Sequence, residues 1–413
     1  MLRLSLVLVL ALTLPAVGCD SQGTDARSSD PVPIELSPVG EALVQNSNAF
    51  GVGLFAQTAA EDDGNLMLSP LSASVALTML LNGTDGDTYT QIRDMLGYAE
   101  VQDLDAINVA YQSLRTQLLA ADPEVQFTLA NAVFYDSVYN SGAPFKAPFL
   151  TALQTSFSAT SEGLPFGDPA AVDVINGWAS ENTNGRVPRV LDEISSDLVL
   201  ILMNALYFKG SWTAEFDVSE TQDADFRRAD GTTVRVPTMA GKIPSRLAYG
   251  DGYTAIEMPY GRQNFSFVAL LPDEGSLSDF AARLDAGLWT DAVTRLGALP
   301  DGSGVTVRLP RFSFSTGQML NKQLQALGMT DAFSRAADLS RMSDDPRLQV
   351  SFVKQNTFVD VNEEGTEAAA VTTVGVEATS AGPAFVADRP FVFAIRERTS
   401  GTLLFIGQVA DPS

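Results

Sequence analysis

The 413-residue chain contains no histidine. That absence removes Ser-His-Asp and Cys-His nucleophile systems, and with them every His-ligated zinc site. Carboxylate-only and Ser-Lys chemistry stay open, because 50 acidic residues will bring some carboxylates together by chance. Cations are scarce. The 26 Lys and Arg leave a formal net charge of −24, which argues against nucleic acid and against direct binding to anionic lipid. Such acidity fits plain solubility, in a saline habitat for instance, or the steering of a cationic partner. No spacing in the chain implies a metal or a cofactor.

Cysteine is almost absent too. The single one, Cys19, follows a run from Leu4 to Val17 in which Arg3 is the only preceding charge. The run falls short of the roughly 20 residues a membrane span needs and fits the apolar core of a secretory signal. It ends Ala16-Val17-Gly18-Cys19, small residues before a cysteine, which resembles a bacterial lipoprotein cleavage site with Ala16 where leucine is usual. The alternative is an ordinary secretory signal with an incidental cysteine. The lipoprotein reading is favoured because the only cysteine stands where lipidation needs it. It divides the chain into a signal peptide at 1–18, a lipid-anchored flexible tether at 19–40 and one domain at 41–413. Within the tether, Asp20–Pro38 is rich in Ser, Asp, Pro and Gly,. The expected product is an exported cell-envelope lipoprotein on the periplasmic or cell-surface side. It would touch membrane only through the lipid on Cys19. Without thiol or disulfide its stability rests on the core, for which 45% hydrophobic residues are ample,.

The domain shows no internal repeat and no linker-like stretch. Its first third reads helical: Glu41–Ala60, Leu71–Asn82 after Ser69-Pro70, Asp87–Leu96 and Leu104–Ala120,. Strands dominate later. Ser196–Phe208 carries Leu198-Val199-Leu200-Ile201-Leu202-Met203, as a strand buried on both faces would,. Val305–Ser315 alternates, Met319–Leu327 is helical, and Val350–Val361, Phe391–Ile395 and Leu403–Ile406 are strand-like. Sheets with many helices give an α+β class.

The most informative stretch begins as a strand, Phe358-Val359-Asp360-Val361, and runs on through Gly365 to Pro383. With a period of two, Thr366, Ala368, Ala370, Thr372, Val374 and Val376 form one set, small or β-branched and uncharged. Glu367, Ala369, Val371, Thr373, Gly375 and Glu377 form the other, which holds both charges. In a strand these sets face opposite sides. An uncharged face can then lie on a core with both glutamates in solvent. No proline lies between Gly365 and Ala381 to remove a ladder donor,. Alanine and glutamate are nevertheless weak strand formers. The segment suits an exposed loop and an inserted strand alike, although an ordinary edge strand or flexible loop would read the same way.

Asn362-Glu363-Glu364-Gly365-Thr366-Glu367-Ala368-Ala369-Ala370 resembles the hinge of inhibitory serpins almost residue for residue. The same family is matched by Asn65-Leu66-Met67-Leu68-Ser69-Pro70-Leu71-Ser72, by Asn204–Trp212, by Ala326–Phe333 and by Asp388-Arg389-Pro390-Phe391, in family order. The resemblance implies a large central mixed sheet, smaller sheets, about eight or nine helices and an exposed reactive-centre loop from Gly365 to about Val386. It implies a suicide inhibitor of a serine-type protease, not an enzyme, which needs no cofactor and acts as a monomer. The protease opens the loop, and the freed loop inserts into the sheet before the acyl-enzyme hydrolyses. Family spacing from the hinge Gly365 and from Pro390 puts the scissile bond at Thr379-Ser380 by both counts.

The loop itself narrows the target. No Lys or Arg lies between Thr357 and Asp388, and no aromatic residue between Phe358 and Phe385. Val376, Glu377, Ala378 and Thr379 suit the shallow specificity pocket of an elastase-like or subtilisin-like protease. A glutamate-specific protease and a cysteine protease are lesser alternatives. By resemblance, Ser69, Ser72, Asn204 and Gln355 form the polar cluster where the strands part, with Gln355 in place of a frequent histidine. Trp212 marks where insertion begins, and Glu363 pairs with Arg311. The competing reading is a serpin that no longer inhibits and serves as a carrier or surface-binding module.

Overall fold

Capping chemistry fixes the starts of the first four helices. In the computed structural model, which describes residues 30–101, 103–139, 145–195, 198–300, 302, 304–366 and 382–413, Ser37 and Ser69 cap Pro38–Ala59 and Pro70–Leu81 by accepting from the Gly40 and Ser72 amides. Proline stands at the first position of both, where a missing N–H costs nothing. Asp85 and Asp103 cap Gly86–Met95 and Leu104–Ala120. The described residues hold nine α-helices, and none of them is long and apolar enough to cross a membrane.

Three sheets complete the α+β architecture. The central one is mixed and six-stranded: Phe312–Met319, Lys354–Asn362, Gly365–Thr366, Leu200–Ser211, Val125–Asp136 and Thr160–Leu164, in spatial order. Only its last pair is parallel. The second sheet has six shorter strands: Leu66–Leu68, Leu403–Val409, Phe391–Glu397, Phe265–Pro272, Tyr253–Tyr260 and Arg246–Gly250. Phe265–Pro272, Phe391–Glu397 and Leu403–Val409 are buried along their whole lengths. The core lies between these two sheets. Phe265 packs on Phe127 and Phe208 at 5.9 and 5.6 Å, and Phe393 on Phe312 at 5.3 Å. A four-stranded sheet holds Ala384–Val386, Gly304–Pro310, Thr233–Pro244 and Gln222–Arg227.

Two readings of the sequence change. The expected tether ends before residue 40. Val32 exchanges two backbone hydrogen bonds with the Asn264 amide, Ile34 donates to the Thr399 hydroxyl, and Glu35 exchanges two with Gln117. Side-chain amides of the body thus supply partners for an otherwise unpaired extended backbone, and the first helix begins at Pro38. The apolar strand expected over 196–208 is Leu200–Ser211. It is only half-buried at Leu200, Leu202, Met203 and Leu206, and among the described residues nothing pairs with this part of the strand on its Gly365–Thr366 side.

Candidate functional site

The site is that opening. Strands Leu200–Ser211 and Lys354–Asn362 run parallel, and among the described residues no ladder joins them directly. They meet through Gly365–Thr366, a two-residue strand antiparallel to both, with Thr366 opposite Gly210 and Val361. The chain enters it through a tight turn at Glu363-Glu364 that is held from outside. The Trp212 amide donates to the Glu364 carbonyl at 2.8 Å, Phe216 N to the Glu363 carbonyl at 2.9 Å, and the Trp212 indole to the Asn362 carbonyl at 2.9 Å. Gly365 sits at φ +150°, where an added Cβ would lie 2.1 Å from the Gly210 carbonyl oxygen. Only glycine fits so close to a neighbouring backbone.

Of the two alternating sets only Thr366, the first of the uncharged one, lies among the described residues. Thr366 is buried, and its hydroxyl lies 2.6 Å from that of Tyr260, which stacks on Trp212 at 4.5 Å. Glu363 is buried too. Arg311 donates to its carboxylate through Nε at 2.7 Å, with Nη2 at 2.5 Å, and the Thr221 hydroxyl donates as well. Nearby, burial pushes the Asp360 carboxyl up against the pull of Arg186 and Arg311. Burial, then the charge of Glu364, raises Glu215.

Lower down, the polar cluster is split. Gln355 is spent on Ser69: its amide oxygen accepts from the Ser69 N–H at 2.8 Å and its nitrogen donates to the Ser69 carbonyl at 2.9 Å. Ser72 belongs to the same group through its amide, which donates to the Ser69 hydroxyl. Asn204 is on the other side. It donates to Asn131 at 2.6 Å, and Asn131 donates to the Phe157 carbonyl. Ser72, Asn204 and Gln355 line one cavity of about 150 Å³. Helix Pro70–Leu81 forms its floor. Residues 183–191 form its roof, since they reach both strands from the outer face. Asn184 donates to the Tyr207 hydroxyl, the Arg186 guanidinium lies 5.0 Å over the Phe358 ring, and Lys354 donates to the Val190 carbonyl at 3.0 Å.

Glu363, Glu364, Gly365, Thr366, Trp212 and Arg311 therefore converge at the top of the cleft, with Ser69, Ser72, Asn204 and Gln355 along it. The hinge residues Glu367, Ala368, Ala369 and Ala370, the specificity residues Val376, Glu377 and Ala378, the bond Thr379-Ser380, and Cys19 lie outside the described residues. Sequence reasoning did not single out Asn131, Thr221, Tyr260 or the roof. Asn131 was legible as an amide inside the apolar run Leu129–Val133. The other partners are set by tertiary contact and leave no local signal.

Gln355 supplies a prediction. An amide does not ionise, so nothing in this cluster titrates near neutrality. Gln355→His introduces a group with an ordinary pKa of about 6.5. Because the protease's own histidine also titrates in this range, the measure is the ratio of the variant's trapping rate to the wild type's at each pH, which should show a transition near pH 6.5 in stopped-flow loss of protease activity.

The described residues thus show a central sheet in which strands 200–211 and 354–362 are joined only through Gly365–Thr366, entered from a buried turn. The family model described as serpin (serine protease inhibitor) matches residues 45–412, and the chain belongs to the serpin family. It is 35% identical to leukocyte elastase inhibitor of Bos taurus, over 90% of this chain and 100% of that protein. It is 36% identical to Serpin-Z1C of Triticum aestivum, over 84% and 90%. Among solved structures, native tengpin, a thermophilic serpin, superposes with a TM-score of 0.81 at 28% identity, covering 92% of this chain and 97% of that one. Human kallistatin gives 0.82 at 27%, covering 91% and 99%. Membership makes protease inhibition, not catalysis, the general activity, and proteases the general partner class.

Proposed function

We propose that this chain is a suicide inhibitor of elastase-like or subtilisin-like serine proteases, cleaved at Thr379-Ser380 and acting by insertion of the freed loop between strands 200–211 and 354–362. The observation that carries the reading is the placement of Gly365–Thr366, already paired on both sides. Continuing the same register sets Ala368 between Phe208 and Val359, Ala370 between Leu206 and Thr357, Thr372 between Asn204 and Gln355, and Val374 between Leu202 and Val353. These residues share the inward face of Thr366, and Glu367 and Glu377 face solvent. A strand from Gly365 to Thr379 spans about 50 Å, far enough to carry an acylated protease from one end of the sheet to the other. The loop sequence sets the target class, because small and β-branched side chains precede the bond.

The protein is further proposed to act as a monomer, exported and lipidated on Cys19. The short span from Cys19 to Val32 would keep the body beside the membrane, with the contacts of Val32, Ile34 and Glu35 taking the pull of the anchor. Mixing the lipid-free mature protein with pancreatic elastase or subtilisin tests the function. Mole-for-mole loss of protease activity and a covalent band near the summed masses, short by the released Ser380–Ser413, are expected. Cleavage at that bond with full protease activity retained contradicts it.

A further inference from the structure

The outer face of the four-stranded sheet differs in charge from the rest of the chain. We propose that Lys242 and Arg308 on this face form a second contact with the protease and select one that is acidic along its primed rim, the side of its cleft that receives the residues after the cut bond. This deepens the function proposed above and rests on its reactive bond at Thr379-Ser380.

Three of the strands, Ala384–Val386, Gly304–Pro310 and Thr233–Pro244, hold three cations and no acid, in a chain with 50 acidic residues and 26 Lys and Arg. Val305, Val307 and Leu309 turn inward and are buried, which leaves Thr306 and Arg308 outward. Across the sheet Thr306 stands between Ala384 and Lys242, and Arg308 between Val386 and Ala240. Lys242, Thr306, Arg308, Ala384 and Val386 are all exposed. No ion pair or side-chain hydrogen bond ties Lys242 or Arg308 to another described residue. The acids around the face are placed otherwise. Asp388, the first after Val386 in the chain, is paired with Arg389 at 2.8 Å. Asp223 and Asp225 are on the fourth strand, where Arg235 stands 4.0 Å from Asp225. Lys242 also leans toward the loop. A Cβ added to Gly304 would lie 2.7 Å from the Lys242 Cε, so its stem passes over Gly304. The parallel register that sets Thr306 beside Ala384 puts Gly304 beside Gly382, two residues past Ser380.

A protease held on the reactive bond covers this face. Ser380 precedes Ala384 by four residues, at most about 14 Å of chain, whereas a protease of about 250 residues has a radius of gyration of about 18 Å. The many acids elsewhere are screened beyond a Debye length of about 8 Å. The charges that meet the partner at contact are therefore these two, and complementary charge at an interface raises the association rate and rejects wrong partners. A polyanion is answered by a run of cations along its length, which this face lacks.

The test compares trapping rates of the lipid-free mature protein with subtilisin and with a subtilisin variant carrying added glutamates on its primed rim, so that both enzymes share one active site. At 0.15 M ionic strength the wild type should react at least fivefold faster with the acid-rimmed enzyme. In 1 M salt, with a Debye length of about 3 Å, the ratio should fall below twofold. Lys242→Gln with Arg308→Gln should bring the ratio near one, and Lys242→Glu with Arg308→Glu should invert it. Lys322→Glu with Arg335→Glu makes the same change in net charge at exposed positions outside this sheet and should keep the wild-type ratio. A wild-type ratio of one or less, or one unchanged by both Lys242/Arg308 pairs, overturns the contact. Equal loss of the ratio in the Lys322/Arg335 pair reduces the effect to net charge and overturns it as well. Retention on dextran sulfate with no rim preference would assign the face to a polyanion and overturn the protease as its partner. If no covalent complex forms, the rate of cleavage at Thr379-Ser380 is measured with the same enzymes; a rim preference there strikes the trap and keeps the contact.

Discussion

Thr366→Arg converts the protein from a trap into a substrate. Thr366 is 3% exposed, and its hydroxyl sits 2.6 Å from that of Tyr260 against the Trp212 ring. An arginine there would carry a charge into an aromatic floor whose nearest buried carboxylate, Glu363, is already paired with Arg311. Burying an unpaired charge costs several kcal/mol. In the intact protein the hinge can answer by withdrawing from the sheet, since among the described residues only Gly365 and Thr366 of this segment are paired there. During trapping it has no such escape, because residue 366 must be laid down before the rest of the strand. Insertion slows, and hydrolysis of the acyl-enzyme overtakes it. The covalent yield against elastase or subtilisin should fall at least tenfold, for which about 1.4 kcal/mol on the insertion barrier suffices, with cleavage at Thr379-Ser380 continuing. Wild-type yield from this variant would mean that the inward face has been assigned wrongly.

Removing Arg311 acts at the same end in the opposite sense. The Glu363 side chain is 4% exposed and Arg311 40% exposed, so the carboxylate bears most of the loss. In Arg311→Ala it keeps the Thr221 hydroxyl and loses its cation. Leaving such a group short of a partner costs about 1–3 kcal/mol, and the partial exposure of Arg311 favours the lower end. The turn at Glu363-Glu364 is then held less firmly when the strands move apart. The intact loop should enter the sheet without cleavage, and inhibitory activity should decay about tenfold faster on incubation. Glu363→Gln should decay more slowly than Arg311→Ala, because a neutral amide tolerates loss of the cation better than a carboxylate does. Identical half-lives for wild type and Arg311→Ala would remove the pair from any role in holding the hinge.

The turn at 363–366, the part of the expected hinge among the described residues, was legible because its information is local. Small residues at alternate positions, a glycine where another backbone comes within 2.1 Å of a would-be Cβ, and two glutamates in the turn all belong to one short stretch. The early helices were legible for the same reason, since Ser-Pro starts and aspartate caps are written beside the helices they begin. The cleft was not. That Leu200–Ser211 pairs on one side only at Gly210 and Ser211 among the described residues has no local signal, and an apolar run reads the same beside a strand or beside a cavity. The split of the polar cluster was hidden likewise. Ser69 and Gln355 stand far apart in the chain and meet across the sheet, whereas Asn204 turns to Asn131, whose place opposite it depends on register. The docking of Val32–Glu35 escaped notice because composition marks a segment as lacking a core of its own and does not reveal that Asn264 and Gln117 wait for it.

The central claim is that the cleaved loop becomes a strand in this cleft, and amide hydrogen exchange before and after cleavage addresses it most directly. In the intact protein, amides of 200–209 and 351–360 that face the cleft should exchange readily, while those beside Gly365–Thr366 stay protected. After cleavage at Thr379-Ser380 the account predicts protection spreading along both strands from the hinge to the far end, together with protection of residues 367–376. Identical exchange in the two forms would mean that the cut loop remains outside and that the cleft serves another purpose.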